Sequence, residues 1–213
     1  MKRNSWQEYQ KEVADDRYYY LRSCIRQNFF PGSEKAFVRI LRQELGRDLF
    51  DDPVHTSCTG IGYHSDIVPL ETIMTVVARQ FALASEAGYE NLAVSCITSF
   101  GIYTEILETW QEFPELEAKV REHLFRATGR EFRKPKNVSH ASDIIFHHRE
   151  AIRQRAAYLL VNRRTGEPLR GVEHIGCHYA KIFPKEGIGG VEFPYVLAGM
   201  IEAWGGQVVD YPE

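Results

Sequence analysis

Four cysteines, Cys24, Cys58, Cys96 and Cys177, hold most of the reactive chemistry open to this 213-residue chain. A cysteine thiolate is a soft, charged donor that binds zinc, iron and iron–sulfur clusters, and it is also the nucleophile of thiol–disulfide exchange. The first three are strung at comparable intervals, with 33 residues between Cys24 and Cys58-Thr59 and 36 more before Cys96-Ile97-Thr98-Ser99. Histidines offer further donors. His55 and His64 flank Cys58, and either would complete a three-cysteine, one-histidine metal site. His178 directly follows Cys177, but adjacent strand residues face opposite ways, so it suits an orienting role better than a nucleophile's partner. His147 and His148 are neighbours on helical sequence and point about 100° apart, which does not converge on a metal.

Composition narrows the setting. The net charge is −3 and the isoelectric point about 6.3, which supplies no electrostatic reason for nucleic acid or an anionic membrane as partner. No apolar run approaches the roughly 20 residues of a membrane span. The start, Met1-Lys2-Arg3-Asn4-Ser5-Trp6, lacks the apolar core of a signal peptide, so the expectation is a cytoplasmic, reducing compartment. There cysteines serve metals or catalysis more often than disulfides. No glycine-rich nucleotide fingerprint occurs, so neither flavin nor NAD is expected on this chain.

The elements that must position the cysteines are legible in outline. Residues 5–16 read as an amphipathic helix and 17–23 as an aromatic strand, its Tyr18-Tyr19-Tyr20 run packed on both sides, with Cys24 next. Pro31-Gly32-Ser33 reads as a turn and helix cap, followed by Phe37, Ile40, Leu41 and Leu45 at helical spacing and a stop at Gly46. A short strand within 48–57 leads to Cys58 and a glycine loop, Thr59-Gly60-Ile61-Gly62. Asp66 and Pro69 open a long helix closed by Gly88; 91–95 is a buried strand ending at Cys96. A helix starts near Ser99, read as its N-cap, and presents Ile102, Ile106, Leu107 and Trp110; its start would favour a thiolate or anionic cluster at Cys96. A charged helix over 114–128, a basic loop from Arg130 to Asn137 and a helical stretch from Val138 to about Leu160 follow. Strands alternating with helices predict an α/β fold with a mainly parallel sheet, whose ligand sites gather at the carboxyl ends of the strands. Cys24, Cys58 and Cys96 all fall there.

The end of the chain resembles its beginning. A strand over Val172–Gly176, Cys177, a loop with Pro184, a helix from about Val191 to Trp204, Gly205-Gly206 and a strand before Asp210-Tyr211-Pro212 repeat the order strand, Cys24, helix, Gly46, strand, Asp51-Asp52-Pro53, Cys58. A counterpart of Cys58 would fall a few residues past Glu213. The expected organisation is an N-terminal helix (1–16), a first cysteine-rich unit (17–162) and the first part of a second (163–213), that is, two pseudo-repeated halves, the second incomplete.

These motifs resemble the cysteine-rich CCG domain of the heterodisulfide reductase B-subunit, whose pattern is a lone cysteine, a Cys-Cys pair and a Cys-x-x-Cys at similar intervals. Cys24 with Phe30-Pro31-Gly32, Ser57-Cys58 with its glycine loop, Cys96-Ile97-Thr98-Ser99-Phe100-Gly101, Val138-Ser139-His140 and Gly176-Cys177-His178-Tyr179 carry the resemblance from about Tyr18 to Glu213. It implies a non-cubane iron–sulfur cluster held by five cysteine thiolates in each complete domain. It also implies cleavage of a disulfide between two coenzyme thiols, and complexes with a C-type iron–sulfur subunit and an A-type flavin subunit. The departures are Thr59, where the second cysteine of the pair belongs, and Ser99, where the second of Cys-x-x-Cys belongs. Neutral hydroxyls are poor iron ligands. The first site, Cys24, Cys58 and Cys96, is therefore either vestigial or holds a smaller cluster or a metal with an outside ligand. Cys177 opens a second, unfinished site. Such losses fit the sulfur-oxidation relatives of the family. The expected function is thiol/disulfide or sulfur redox chemistry on a small thiol or sulfur-carrier substrate, with electrons passed to or from partner subunits. The alternatives are a non-catalytic scaffold that docks a C-type subunit and a small three-cysteine metal-binding protein.

Overall fold

The computed structural model describes residues 16–55, 60–174, 176 and 195–209. The helix expected over 5–16, the residues around Cys58 (56–59) and the stretch from Cys177 to Pro194 lie outside them.

Four parallel strands form the main sheet: β1 (Arg17–Leu21), β2 (Asp48–Phe50), β3 (Asn91–Val94) and β4 (Asn137–His140), in the order β2-β1-β3-β4. Tyr19 faces Phe50 of β2 on one side and Leu92 of β3 on the other, and Val94 of β3 faces His140 of β4. The side-chain period of two splits the aromatic strand. Tyr19 and Leu21 enter one core with helices α4 (Leu70–Glu86), α5 (Ile97–Glu112) and α6 (Pro114–Thr128). Tyr18 and Tyr20 enter the opposite core with α2 (Pro31–Arg39) and α7 (Ala141–His147). All three tyrosines are fully buried, as a strand packed on both faces requires. In the larger core Phe81, Trp110 and Phe132 meet ring to ring, and burying each such side chain stabilises the fold by about 1.5–3 kcal/mol.

Several local expectations are corrected. Val138–His140 is not helical but the fourth strand; pairing with β3 holds a segment whose own sequence signal is too short to declare itself. Helix continues as α7 and α8 (Arg149–Arg155), and His140 itself leads α7, its ring accepting from the Ser142 N–H at 3.3 Å. Pro31-Gly32-Ser33 is not a turn before the helix but its first turn, with proline at the first position, where its missing N–H costs nothing. Helix α2 runs into one turn of π-helix (Ile40–Glu44) before Gly46, whose φ of +66° ends it. Gly60 and Gly62 are not in a loop but in a short helix, α3 (Gly60–His64).

The second unit is small. Strands β5 (Arg170–Gly171) and β6 (Gln207–Val208) pair in parallel across helix α9 (Val196–Ala203), so the strand expected at 172–176 lies two residues earlier. Helix α9 packs on α7 and α8 through Val196, Met200 and Phe146, and the Trp204 indole donates to the Arg149 carbonyl at 3.1 Å.

Candidate functional site

The connection from β1 to β2 leaves the sheet in one direction and that from β3 to β4 in the other. The strand order therefore reverses between β1 and β3, and the carboxyl ends of strands at such a reversal are where ligands bind in open α/β sheets. Two cysteines stand at this edge. The pairing of β1 and β3 continues one residue past Val94, with the Ser95 N–H donating to the Leu21 carbonyl at 3.0 Å. Cys24 follows Leu21 by three residues and opens α1 (Cys24–Phe29), exposed. Cys96 follows Val94 by two residues and is the N-cap of α5, half-buried, in extended conformation (φ −114°, ψ 122°). Neighbouring strands lie about 4.8 Å apart, so both thiol-bearing loops start from adjacent points. Cys58 and Cys177, with Thr59 and His178, lie outside the described residues.

A buried carboxylate sits behind these loops. Glu34, only 7% exposed, accepts with one oxygen from the Tyr20 hydroxyl at 2.6 Å, the Ser95 hydroxyl at 3.0 Å and the Ser23 backbone N–H at 3.3 Å. Burial, together with the Glu34 carboxylate that it must face, holds the Tyr20 hydroxyl well above the usual phenol range. Nothing in the sequence singled out Glu34: an acid in the first turn of a helix reads as an ordinary partner of the helix dipole.

The loop between β2 and the Cys58 segment is equally fixed. Arg22 clamps Asp51 through two bonds of 2.6 Å, and Asp52 accepts from the Tyr19 hydroxyl at 2.7 Å and the Val54 N–H at 2.8 Å. His55 is buried with its Nδ1 2.6 Å from the Gln80 amide oxygen. Burial pushes its pKa below the ordinary imidazole value, outweighing the Gln80 and Arg22-backbone hydrogen bonds. The ring is neutral, the state a metal ligand needs, but it is tied into the core; His64 is exposed.

Other candidates separate. His147 is exposed and His148 buried, their rings meeting edge to face at 4.8 Å. Ser99 is not the N-cap of α5 but lies inside its first turn, buried. The basic loop is pinned to its own surface: Arg130 pairs with Glu86, Lys134 with Glu117 and Lys136 with Glu90. A cavity of about 470 Å³ opens between α2 and the ends of β1 and β2, with Arg22, Lys35, Arg39 and Arg42 around it and Glu34 and Asp51 in its wall.

Among the described residues no three His, Cys, Asp or Glu side chains converge to hold a metal ion. Cys24 and Cys96 supply two thiols at neighbouring strand ends. Two thiols are part of the donor set that an iron–sulfur or metal group takes. Among the described residues no helix is long and apolar enough to cross a membrane.

No family model matches the chain. The B-subunit of the ferredoxin:CoB-CoM heterodisulfide reductase of Methanosarcina acetivorans is 26% identical over 211 residues, covering 95% of this chain and 65% of that protein. The B-subunit of the ferredoxin/F(420)H(2)-dependent CoB-CoM heterodisulfide reductase of the same organism is 27% identical over 192 residues, 90% of this chain and 61% of that one. The B-subunit of the ferredoxin:CoB-CoM heterodisulfide reductase of Methanosarcina mazei is 26% identical, with coverages of 89% and 60%. The chain thus spans 60–65% of the length of the curated relatives it matches. The crystal structure of a hypothetical protein from Helicobacter pylori aligns with a TM-score of 0.56 at 14% identity, over 96% of this chain and 36% of that one, a likeness of fold alone. In its cysteine spacing and along nearly its whole length, the chain is similar to B-subunits of heterodisulfide reductases.

Proposed function

We propose that this chain is a B-type component of a heterodisulfide-reductase-like complex that makes or breaks a sulfur–sulfur bond and exchanges electrons with partner subunits. The observation that carries the reading is the placement of Cys24 and Cys96 on adjacent strand ends at the reversal point of the sheet, in a chain whose relatives are named for that reaction. Cys24, Cys58 and Cys96 form the first ligand set and Cys177 the beginning of a second, in two cysteine-rich units, 17–162 and 163–213. An iron–sulfur cluster held there would supply single electrons to a sulfur–sulfur bond. The chain's own part is to hold the thiols: β1 and β3 fix their starting points, Cys24 is exposed where a small thiol or sulfur carrier arrives, and Cys96 is half-buried. The partners are a C-type iron–sulfur subunit and an A-type flavin subunit, in the cytoplasm. Thr59 and Ser99, in place of two family ligands, support a position among the sulfur-oxidation relatives.

A second reading, a non-catalytic scaffold that docks a C-type subunit, is favoured by Ser99. Its hydroxyl is buried inside α5, where a ligand thiolate stands in the resemblance. Iron and acid-labile sulfide in anaerobically purified protein, with zinc measured alongside, separate the two. The catalytic reading expects stoichiometric iron that is lost in Cys24→Ala and in Cys96→Ala. Metal-free wild-type protein, or iron indifferent to both substitutions, sinks it.

A further inference from the structure

We infer that Glu34 is a positioning residue: its buried carboxylate ties the loop that bears Cys24 to the loop that bears Cys96 and thereby sets the separation of the two thiols. Two of its three bonds fall on the residues immediately before the cysteines, the Ser23 N–H (3.3 Å) and the Ser95 hydroxyl (3.0 Å), and the third on Tyr20 of β1 (2.6 Å). The ties span 11, 61 and 14 residues of sequence, so they join the ends of β1 and β3 to α2 rather than bracing one turn locally. Filling that space alone calls for an apolar side chain, because a buried carboxylate is costly unless it is well bonded. All three donors meet at one oxygen, and the other, Oε2, is buried with no hydrogen-bond partner among the described residues. The clamp therefore works through an acceptor oxygen and not through two. Serine also precedes Cys58, as Ser57.

The inference rests on the reading that Cys24 and Cys96 serve one site, and its test is independent of any bound metal. In metal-free protein carrying Cys58→Ser and Cys177→Ser, only Cys24 and Cys96 remain, and dibromobimane fluoresces only when it has bridged both. Glu34→Leu is expected to slow bridging about tenfold or more, since small misplacement of reacting groups is costly. Ser95→Ala, which removes one tie and little else, is expected to slow it about threefold on the same ground. Glu34→Gln keeps the acceptor oxygen and is expected to bridge at close to the parent rate. Reaction of each thiol with monobromobimane is expected to stay unchanged in all three, which separates spacing from exposure. Bridging at the parent rate in Ser95→Ala and in folded Glu34→Leu overturns the clamp; if Glu34→Leu does not fold, Ser95→Ala decides alone. Iron content of the wild type reads the cluster separately, so loss of one idea leaves the other standing.

Discussion

The two strand–helix–strand units of this chain share a plan and differ in how they are held. In the first, β1 and β2 pair in parallel across α2; in the second, β5 and β6 pair in parallel across α9. Each helix is followed by a glycine of positive φ, Gly46 at +66° and Gly205 at +85°, where a side chain would be strained. Yet β1 is five residues long and hydrogen-bonded on both sides, whereas β5 and β6 have two residues each in a sheet of their own. A two-stranded sheet contributes little by itself, since independent stability takes three or more strands or a helix to pack on. The second unit is held mainly by α9 against Phe146 and its neighbours. The motif is thus a folding plan whose strength comes from what it packs on.

The sharpest way to break that comparison is to weaken the first core. Phe81→Ala is expected to cost about 3–5 kcal/mol, as full truncation of a buried aromatic does. If the second unit depends on the first, urea transitions followed by Trp110 and by Trp204, in variants that retain one tryptophan each, will move together. A Trp204 transition that stays in place would mean that the second unit stands alone.

The reverse perturbation should not propagate. A Cβ at Gly199 of α9 would lie 2.5 Å from a Phe146 ring carbon and 2.8 Å from a Tyr195 ring carbon. Gly199→Ala is expected to cost about 1–3 kcal/mol by overpacking, seen in the Trp204 transition and in faster proteolysis around α9, with the Trp110 transition unmoved. Equal shifts in both would merge the two units into one cooperative body.

A smaller effect is confined to the first unit and depends on pH. His55 is neutral in its buried place because burial lowers its pKa, while in the unfolded chain it titrates at about 6.5. Its contribution is complete above about pH 6.5 and is lost as the pH falls toward the lower folded value, because the unfolded state gains the proton first. The Trp110 urea midpoint is expected to fall on acidification through this range, more steeply than in His55→Gln. Parallel slopes would show that another group governs the acid limb. The smallest effect belongs to the half-exposed Arg22–Asp51 pair: Asp51→Asn is expected to change stability by no more than about 1 kcal/mol, since screened surface pairs are worth little. A larger loss in chemical denaturation would mean that this clamp holds the loop toward Cys58 as well.

Much of the fold was legible because periodicity and punctuation are local. The aromatic alternation of β1, the apolar stripe of α4, the charged α6 behind Pro114 and the stop at Gly46 all write their physics into adjacent residues. Strand β4 was not legible, since Val138-Ser139-His140 becomes a strand only because β3 offers its edge. The Gly60–Gly62 stretch was misread for a related reason: glycine allows a loop without requiring one, and here both residues lie in α3.

The candidate site divides in the same way. By itself the sequence determined the cysteine spacing, the resemblance to heterodisulfide reductase B-subunits and the presence of Thr59 and Ser99 where that resemblance has cysteines, because these are statements about residue type along a line. Only the tertiary structure decided that Cys24 and Cys96 leave neighbouring strands at the reversal point, that Ser99 is buried inside a helix, and that one oxygen of Glu34 collects Ser23, Ser95 and Tyr20. The physical reason is that parallel strands become neighbours only through long crossover connections. The contact between Glu34 and Ser95, 61 residues apart, exists only once β1 and β3 have paired.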